Sequence, residues 1–139
     1  MQSLYQRQVE GILGALGVAP PGKLTVMKGE TVRMTVAFNY RGTGISVTLR
    51  CSIGKRTLGV FDEHAYKTKT ITLPQSAGFL PYEAFADIPT TAISPESNYD
   101  IEAKITEYAS ATLVKIDNVI DVLGAPEFQD FRITDYSKV

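Results

Sequence analysis

The stretch from residue 31 to residue 53 constrains this chain more than any other. Val32, Met34, Val36, Phe38 and Tyr40 alternate with Thr31, Arg33, Thr35, Ala37 and Asn39. After Arg41-Gly42-Thr43-Gly44 the alternation resumes, with Ile45, Val47, Leu49, Cys51 and Ile53 set against Ser46, Thr48, Arg50 and Ser52. Successive side chains of a strand point to opposite faces, so this period of two gives each segment one apolar and one polar face. A helix would scatter the same residues around its circumference. The expectation is two half-buried strands joined by a glycine-rich turn, each needing an apolar layer to pack on.

More strand signals follow. Tyr66 to Leu73 is rich in threonine and stops at Pro74, and Tyr82 to Ile88 stops at Pro89. Tyr99, Ile101, Ala103 and Ile105 alternate with Asp100, Glu102 and Lys104, and Val114 to Leu123 is closed by Gly124-Ala125-Pro126. Lys23 to Met27 is a short candidate for a first strand. Strands separated by turns, with no helices between them, indicate an antiparallel sandwich rather than a parallel sheet. Val32, Val36, Val47, Leu49, Ile53, Ile101 and Ile105 are its expected core.

Both ends differ from this middle. Tyr5, Val9, Ile12 and Leu16 recur at spacings of three and four, which predicts a helix over residues 3–17 with Ser3 as N-cap and Gly17 as stop. Gly11 and Gly14 each weaken it by roughly 1 kcal/mol relative to alanine, so it needs a packing partner. Pro20-Pro21-Gly22 breaks it. At the other end, Phe128, Phe131, Ile133 and Tyr136 follow a proline break, and disordered tails seldom carry so many aromatics. The chain therefore divides into an N-terminal helical extension (1–22), a β-sandwich (23–124) and a strand-like C-terminal extension (125–139). Tyr5, Val9, Ile12, Leu16, Phe128, Phe131, Ile133 and Tyr136 are the candidate interface residues.

Ser97-Asn98-Tyr99-Asp100-Ile101-Glu102-Ala103, after the turn-rich Ser94-Pro95-Glu96, resembles the beginning of strand F in immunoglobulin-like and fibronectin-like domains. Gly29-Glu30-Thr31-Val32 looks like the beginning of strand B in bacterial surface and phage modules of that type. The resemblance spans about residues 23–124 and implies an immunoglobulin-like sandwich in which Tyr99 forms a tyrosine corner, its hydroxyl bonding to upstream backbone. The core tryptophan and paired cysteines of antibody domains are absent, and the fold by itself names no function.

The sequence offers little that resembles catalytic machinery. A formal net charge of -1 with no basic stripe gives nucleic acid no electrostatic footing. No apolar run approaches the roughly 20 residues that span a bilayer. The apolar Ile12 to Val18 run follows Glu10 and does not read as an export signal. The single cysteine, Cys51, excludes an intrachain disulfide and occupies an inward strand position, as a small hydrophobe would. His64, the single histidine, sits in Asp62-Glu63-His64, which reads as a polar loop rather than a metal site because no second histidine or cysteine accompanies it. Asp117 and Asp121 share a strand face without the spacing of a calcium loop, and Asp87 lies apart from them. No phosphate loop, dinucleotide fingerprint or nucleophile elbow is present. No cofactor and no metal are expected.

These features lead to two expectations of different class. The first is a non-enzymatic structural subunit of a homo-oligomeric assembly, a phage or virus virion protein of the decoration, head or tail kind. It would assemble from the cytoplasm, with its own copies and another virion protein as partners. The C-terminal segment would add head-to-tail to the weakly covered first edge, Lys23 to Met27, of the next subunit, or else fold back on its own domain; the sequence leaves both open. The second is a carbohydrate- or protein-binding accessory module of a cell-surface protein, using aromatics around Phe79-Leu80-Pro81-Tyr82.

Overall fold

A computed structural model describes residues 22–124, 126 and 128–139. The helix expected over residues 3–17, with Tyr5, Val9, Ile12 and Leu16, lies outside the described residues. Within them the chain forms β1 (Leu24–Met27), β2 (Thr31–Gly42), β3 (Ile45–Thr57), β4 (Val60–Leu73), β5 (Ser76–Pro89), β6 (Glu96–Ile105) and β7 (Val114–Leu123). A 3-10 turn (Thr106–Tyr108) and a four-residue helix, α1 (Ala109–Thr112), connect β6 to β7. The protein is mainly β: a curled five-stranded sheet in the order β1-β7-β6-β3-β4, and a second sheet of β2 and β5. Neighbours are antiparallel except β1 and β7, which run parallel with Leu24 opposite Ile120 and Met27 opposite Leu123.

The two most strongly alternating segments do not pair with each other. β2 pairs with β5, whereas β3 lies between β4 and β6. The Arg41–Gly44 turn therefore carries the chain from one sheet to the other. Two strands with one apolar face each bury more by facing across the core than by lying side by side with both faces uncovered. The crossing is braced locally. The β2 register shifts between Tyr40 and Gly42, Gly42 takes φ 142°, and the Tyr40 hydroxyl donates to the Thr43 carbonyl at 2.7 Å.

β3 and β4 do form a hairpin, closed by Leu58-Gly59 between the paired Thr57 and Val60. Both turn residues have positive φ, 52° and 80°, as a type I′ turn requires. Gly54 marks a bulge in the same hairpin. A Cβ there would lie 2.0 Å from the Asp62 carbonyl oxygen, so only glycine fits the close approach of β4.

Leu49 and Ile53 from β3, Ile88 from β5, Ile93, Tyr99 from β6 and Val122 from β7 make up the centre of the core. Val32, Val47 and Ile105 are also buried, as expected. Val36 and Ile101 are only half-buried, because both border an opening between the sheets. Tyr99 is fully buried, and its hydroxyl donates to the Ser94 carbonyl at 2.6 Å, tying the start of β6 to the turn before it.

Two expectations change, and the alternating carboxylates of β6 are buried. Asp62-Glu63-His64 is not a loop but part of β4, with Asp62 opposite Lys55 and Glu63 opposite Gly54. Asp100 and Glu102, on the polar side of β6, are only 4% and 9% exposed: the Arg56 guanidinium at the end of β3 pairs with Glu102, and Asp100 accepts the backbone amides of Arg56 and Asn118. The segment from Phe128 to Tyr136 has no strand structure in the single chain. A strand is held by hydrogen bonds to a neighbour, and no strand among the described residues pairs with this segment.

Candidate interaction surface

Two surfaces within the described residues are apolar and uncovered, and they lie at different places on the molecule. The first is a groove. β2 has β5 on one side, and no strand among the described residues pairs with its other edge. β7 is covered by β1 only over Ile120–Leu123, while Val114, Lys115 and Ile116 pair with β6 alone. Between the free edge of β2 and the free start of β7 the sheets part, leaving a groove of about 440 Å³. Met34, Val36 and Phe38 form one wall, and Ile101, Val114 and Ile116 the other. Phe38 stacks on Tyr82 with ring centroids 5.7 Å apart. The groove continues past Val36 and Phe38 into a hollow of about 470 Å³ reaching Leu73, Ile105 and Tyr108.

The second surface is the C-terminal segment. Phe128, Phe131, Ile133 and Tyr136 are 82%, 89%, 83% and 92% exposed. The side-chain hydrogen bonds found there are local: Arg132 Nη1 donates to the Asp130 carbonyl, and the Asp135 carboxylate accepts from the Tyr136 amide. Phe131 and Ile133 are two residues apart, so in extended backbone they share a face. Of the eight sequence-predicted interface residues, these four are thus placed at the surface. The other four lie outside the described residues.

Several ionisable groups pair across neighbouring strands of the same sheet. Arg50 clamps Glu63 with two hydrogen bonds, 3.0 and 2.5 Å, and the Ser52 hydroxyl donates to the same carboxylate. The guanidinium, ahead of the opposing effect of burial, holds Glu63 below the usual carboxylate range. Asp100 accepts from the Arg56 amide and the Asn118 amide, both at 2.7 Å. It thereby joins the end of β3 to β7, where Asn118 takes φ 57°. Arg56 also contacts Glu102 at 2.7 Å and Asp117 at 3.2 Å. Asp121 takes the Asn98 amide at 2.9 Å and Lys23 Nζ at 3.1 Å, and the Asn98 amide above all depresses its pKa. Asp87 is matched by Arg33 at 2.8 Å.

The sequence-level candidates for chemistry fit into this scaffold. Cys51 is fully buried, and desolvation pushes its thiol up to about 11, far from a nucleophile's range. His64 packs edge-on to Tyr99 with centroids 5.5 Å apart and sits 3.3 Å from Asp62. Among the described residues no three His, Cys, Asp or Glu side chains converge as metal ligands, and no helix is long and apolar enough to cross a membrane. Phe79 is 62% exposed with Arg41 over its ring at 4.4 Å, whereas Tyr82 is half-buried in the stack with Phe38. The Phe79–Tyr82 segment therefore offers one aromatic to a ligand rather than two.

Sequence reasoning missed the groove. Its signal was the apolar face of β2 itself: Met34, Val36, Phe38 and Tyr40 are more than a two-stranded sheet covers. The sequence matches no known family model, and no curated protein is detectably similar to it.

Proposed function

We propose that this chain is a non-enzymatic structural subunit of a homo-oligomeric assembly, of the virion decoration, head or tail kind. The observation that carries this reading is the C-terminal segment, which holds four large apolar side chains more than 80% exposed to water. Single exposed apolar side chains are ordinary, whereas several large ones exposed in one short segment are what interaction sites present. The paired ionisable side chains support the same reading, because Arg50 with Glu63 and Arg56 with Glu102 bridge neighbouring strands of the large sheet.

The finer fold we propose is immunoglobulin-like. Constant-type immunoglobulin domains hold strands A, B, E and D in one sheet and C, F and G in the other, with C′ added beside C in variable-type domains. β2 and β5 take the places of B and E, and β7-β6-β3-β4 those of G, F, C and C′. Tyr99, at the start of β6 with its hydroxyl on the Ser94 carbonyl, occupies the position of the tyrosine corner. In this assignment the place of strand A beside β2 is held by no described residue.

The test is the mass of the purified full chain in solution, with micrographs of the same sample. Particles, rings or filaments of many 15.2 kDa subunits support the assembly. A monomer at all concentrations overturns it. A monomer that binds an oligosaccharide through Phe79 would favour an accessory binding module in its place.

A further inference from the structure

Resting on that reading, the geometry points to one particular joint: the C-terminal segment of one copy, Phe128 to Tyr136, fills the groove between β2 and the start of β7 in another copy. There it would pair with the free edge of β2 as the sheet's third strand. The first strand, expected from the sequence to be the acceptor, offers only four residues, Leu24–Met27. β2 is twelve residues long, and the edge it leaves free borders an apolar hollow. Backbone pairing along β2 would satisfy the tail's own amides and carbonyls, which pair with no strand among the described residues. Phe131 and Ile133, on one face, would enter between Met34, Val36 and Phe38 on one side and Val114 and Ile116 on the other.

Phe131 and Ile133, which share the face toward the groove, are the anchors of this contact, and the backbone ladder along β2 adds to them, whereas Phe128 and Tyr136 fall on the opposite face of an extended segment. The topology favours a second copy over the tail's own domain. The tail leaves the fold at the end of β7, where β1 already occupies the β7 edge over Ile120–Leu123. The groove opens at the other end of that strand, about seven residues or ~23 Å away at the rise of a strand. Tail into groove is a heterologous contact, so it closes as a ring or continues as a filament.

Full-length chains bearing single cysteines test this directly, because native Cys51 is buried and unreactive. Chains carrying Ala37→Cys, on the outward face of β2, are mixed with chains carrying Arg132→Cys or Thr134→Cys and oxidised gently. Thr70→Cys on β4 serves as the control acceptor. In parallel, light scattering compares the native chain with Phe131→Asp/Ile133→Asp, whose substituted residues are solvated in the single chain. The expected results are a disulfide-linked dimer from the Ala37→Cys mixtures at several times the control yield, and a fall in mass from multiple subunits to one chain in the tail variant. Undiminished mass in the tail variant, with cross-linking no better than the control, overturns the joint while the homo-oligomer reading stands. So does a cross-link that forms only within an Ala37→Cys/Thr134→Cys chain, which would place the tail in its own groove. So does assembly that survives the tail substitutions but not removal of residues 1–21, which would give the contact to the N-terminal segment. A native chain that is monomeric throughout overturns both readings.

Discussion

Replacing Tyr99 by phenylalanine removes one oxygen atom and leaves the ring in the core. That oxygen donates to the Ser94 carbonyl at 2.6 Å. The ring is fully buried, lies edge-on to His64, and has Lys55 Nζ 4.6 Å from its centroid. None of these ring contacts requires the hydroxyl, so no cavity larger than an oxygen atom results. The loss is therefore one hydrogen bond, whose net worth is about 0.5–1.5 kcal/mol, unless the carbonyl left behind is sealed from water, when it costs about 1–3 kcal/mol. Ser94 is exposed, so water reaches the freed carbonyl, and we expect about 1 kcal/mol. With a urea slope of about 2 kcal/mol/M, that lowers the unfolding midpoint by roughly 0.5 M. The thermal midpoint should fall by about 2–5 °C. Tyr108→Phe, on an exposed side chain, is the control and should move neither. An unchanged midpoint at unchanged slope for Tyr99→Phe would show that the hydroxyl does not tie the start of β6 to its turn. A loss of several kcal/mol would mean that the ring had moved and that the hydroxyl was positioning it.

The polar side of the large sheet gives further predictions. Asp100→Asn places an amide donor against one of two backbone N–H groups, and leaving a buried donor unpaired costs about 1–3 kcal/mol, read as a lower urea midpoint. Because the Glu63 pKa is depressed in the folded state, its contribution is complete above the unfolded value of about 4.3 and lost as pH falls through the folded one. The urea midpoint should hold from pH 7 to 5 and fall below about pH 4, and Glu63→Gln should lower it at pH 7 and flatten that fall; a midpoint that rises on acidification contradicts the sign. Leu58, 99% exposed at φ 52°, is a bulky residue in left-handed backbone. Leu58→Asn should raise stability by about 0.5–1 kcal/mol without altering assembly, since asparagine before glycine suits a type I′ turn; loss of assembly would identify the hairpin tip as a contact.

The strands were legible because each carries its period locally. Val32 to Tyr40 and Ile45 to Ile53 declare a face within ten residues, and prolines 74 and 89 mark where strands stop. Partnership was less legible, because alternation says which face is buried and not which sheet a strand joins. β2 and β3 look like a hairpin in sequence, yet they stand on opposite sides of the core. The burial of Asp100 and Glu102 was not legible either: they alternate as solvated residues do, and their partners, Arg56 and Asn118, lie 44 residues before and 18 after Asp100. Tyr99 was legible because its partner lies five residues upstream. Of the candidate surface, the apolar tail could be read directly, whereas the groove that faces the free edge of β2 is a property of two sheets at once.

The groove also bears on the stability of the single chain. A two-stranded sheet is marginal by itself and relies on the layer it covers. β2 and β5 cover only part of the five-stranded sheet, so Val36 and Ile101 stay half-buried although each belongs to an apolar face. A strand added beside β2 would complete the smaller sheet and bury those residues, making docking and folding stability one linked quantity. Anything that binds the native state and not the unfolded chain stabilises by RT ln(1 + [L]/Kd), about 2.7 kcal/mol at a hundredfold excess over Kd. If the ligand is the tail of another copy, its concentration is that of the protein itself. The urea midpoint of the full chain should then rise with protein concentration, by about 1.4 kcal/mol of stability for each tenfold above Kd. In Phe131→Asp/Ile133→Asp the midpoint should be independent of concentration and equal to that of the native chain at high dilution, since those side chains are 89% and 83% exposed. A native midpoint that stays constant over a hundredfold range of concentration, in a sample that light scattering finds assembled, would mean that assembly uses a surface whose occupation adds nothing to the stability of the fold.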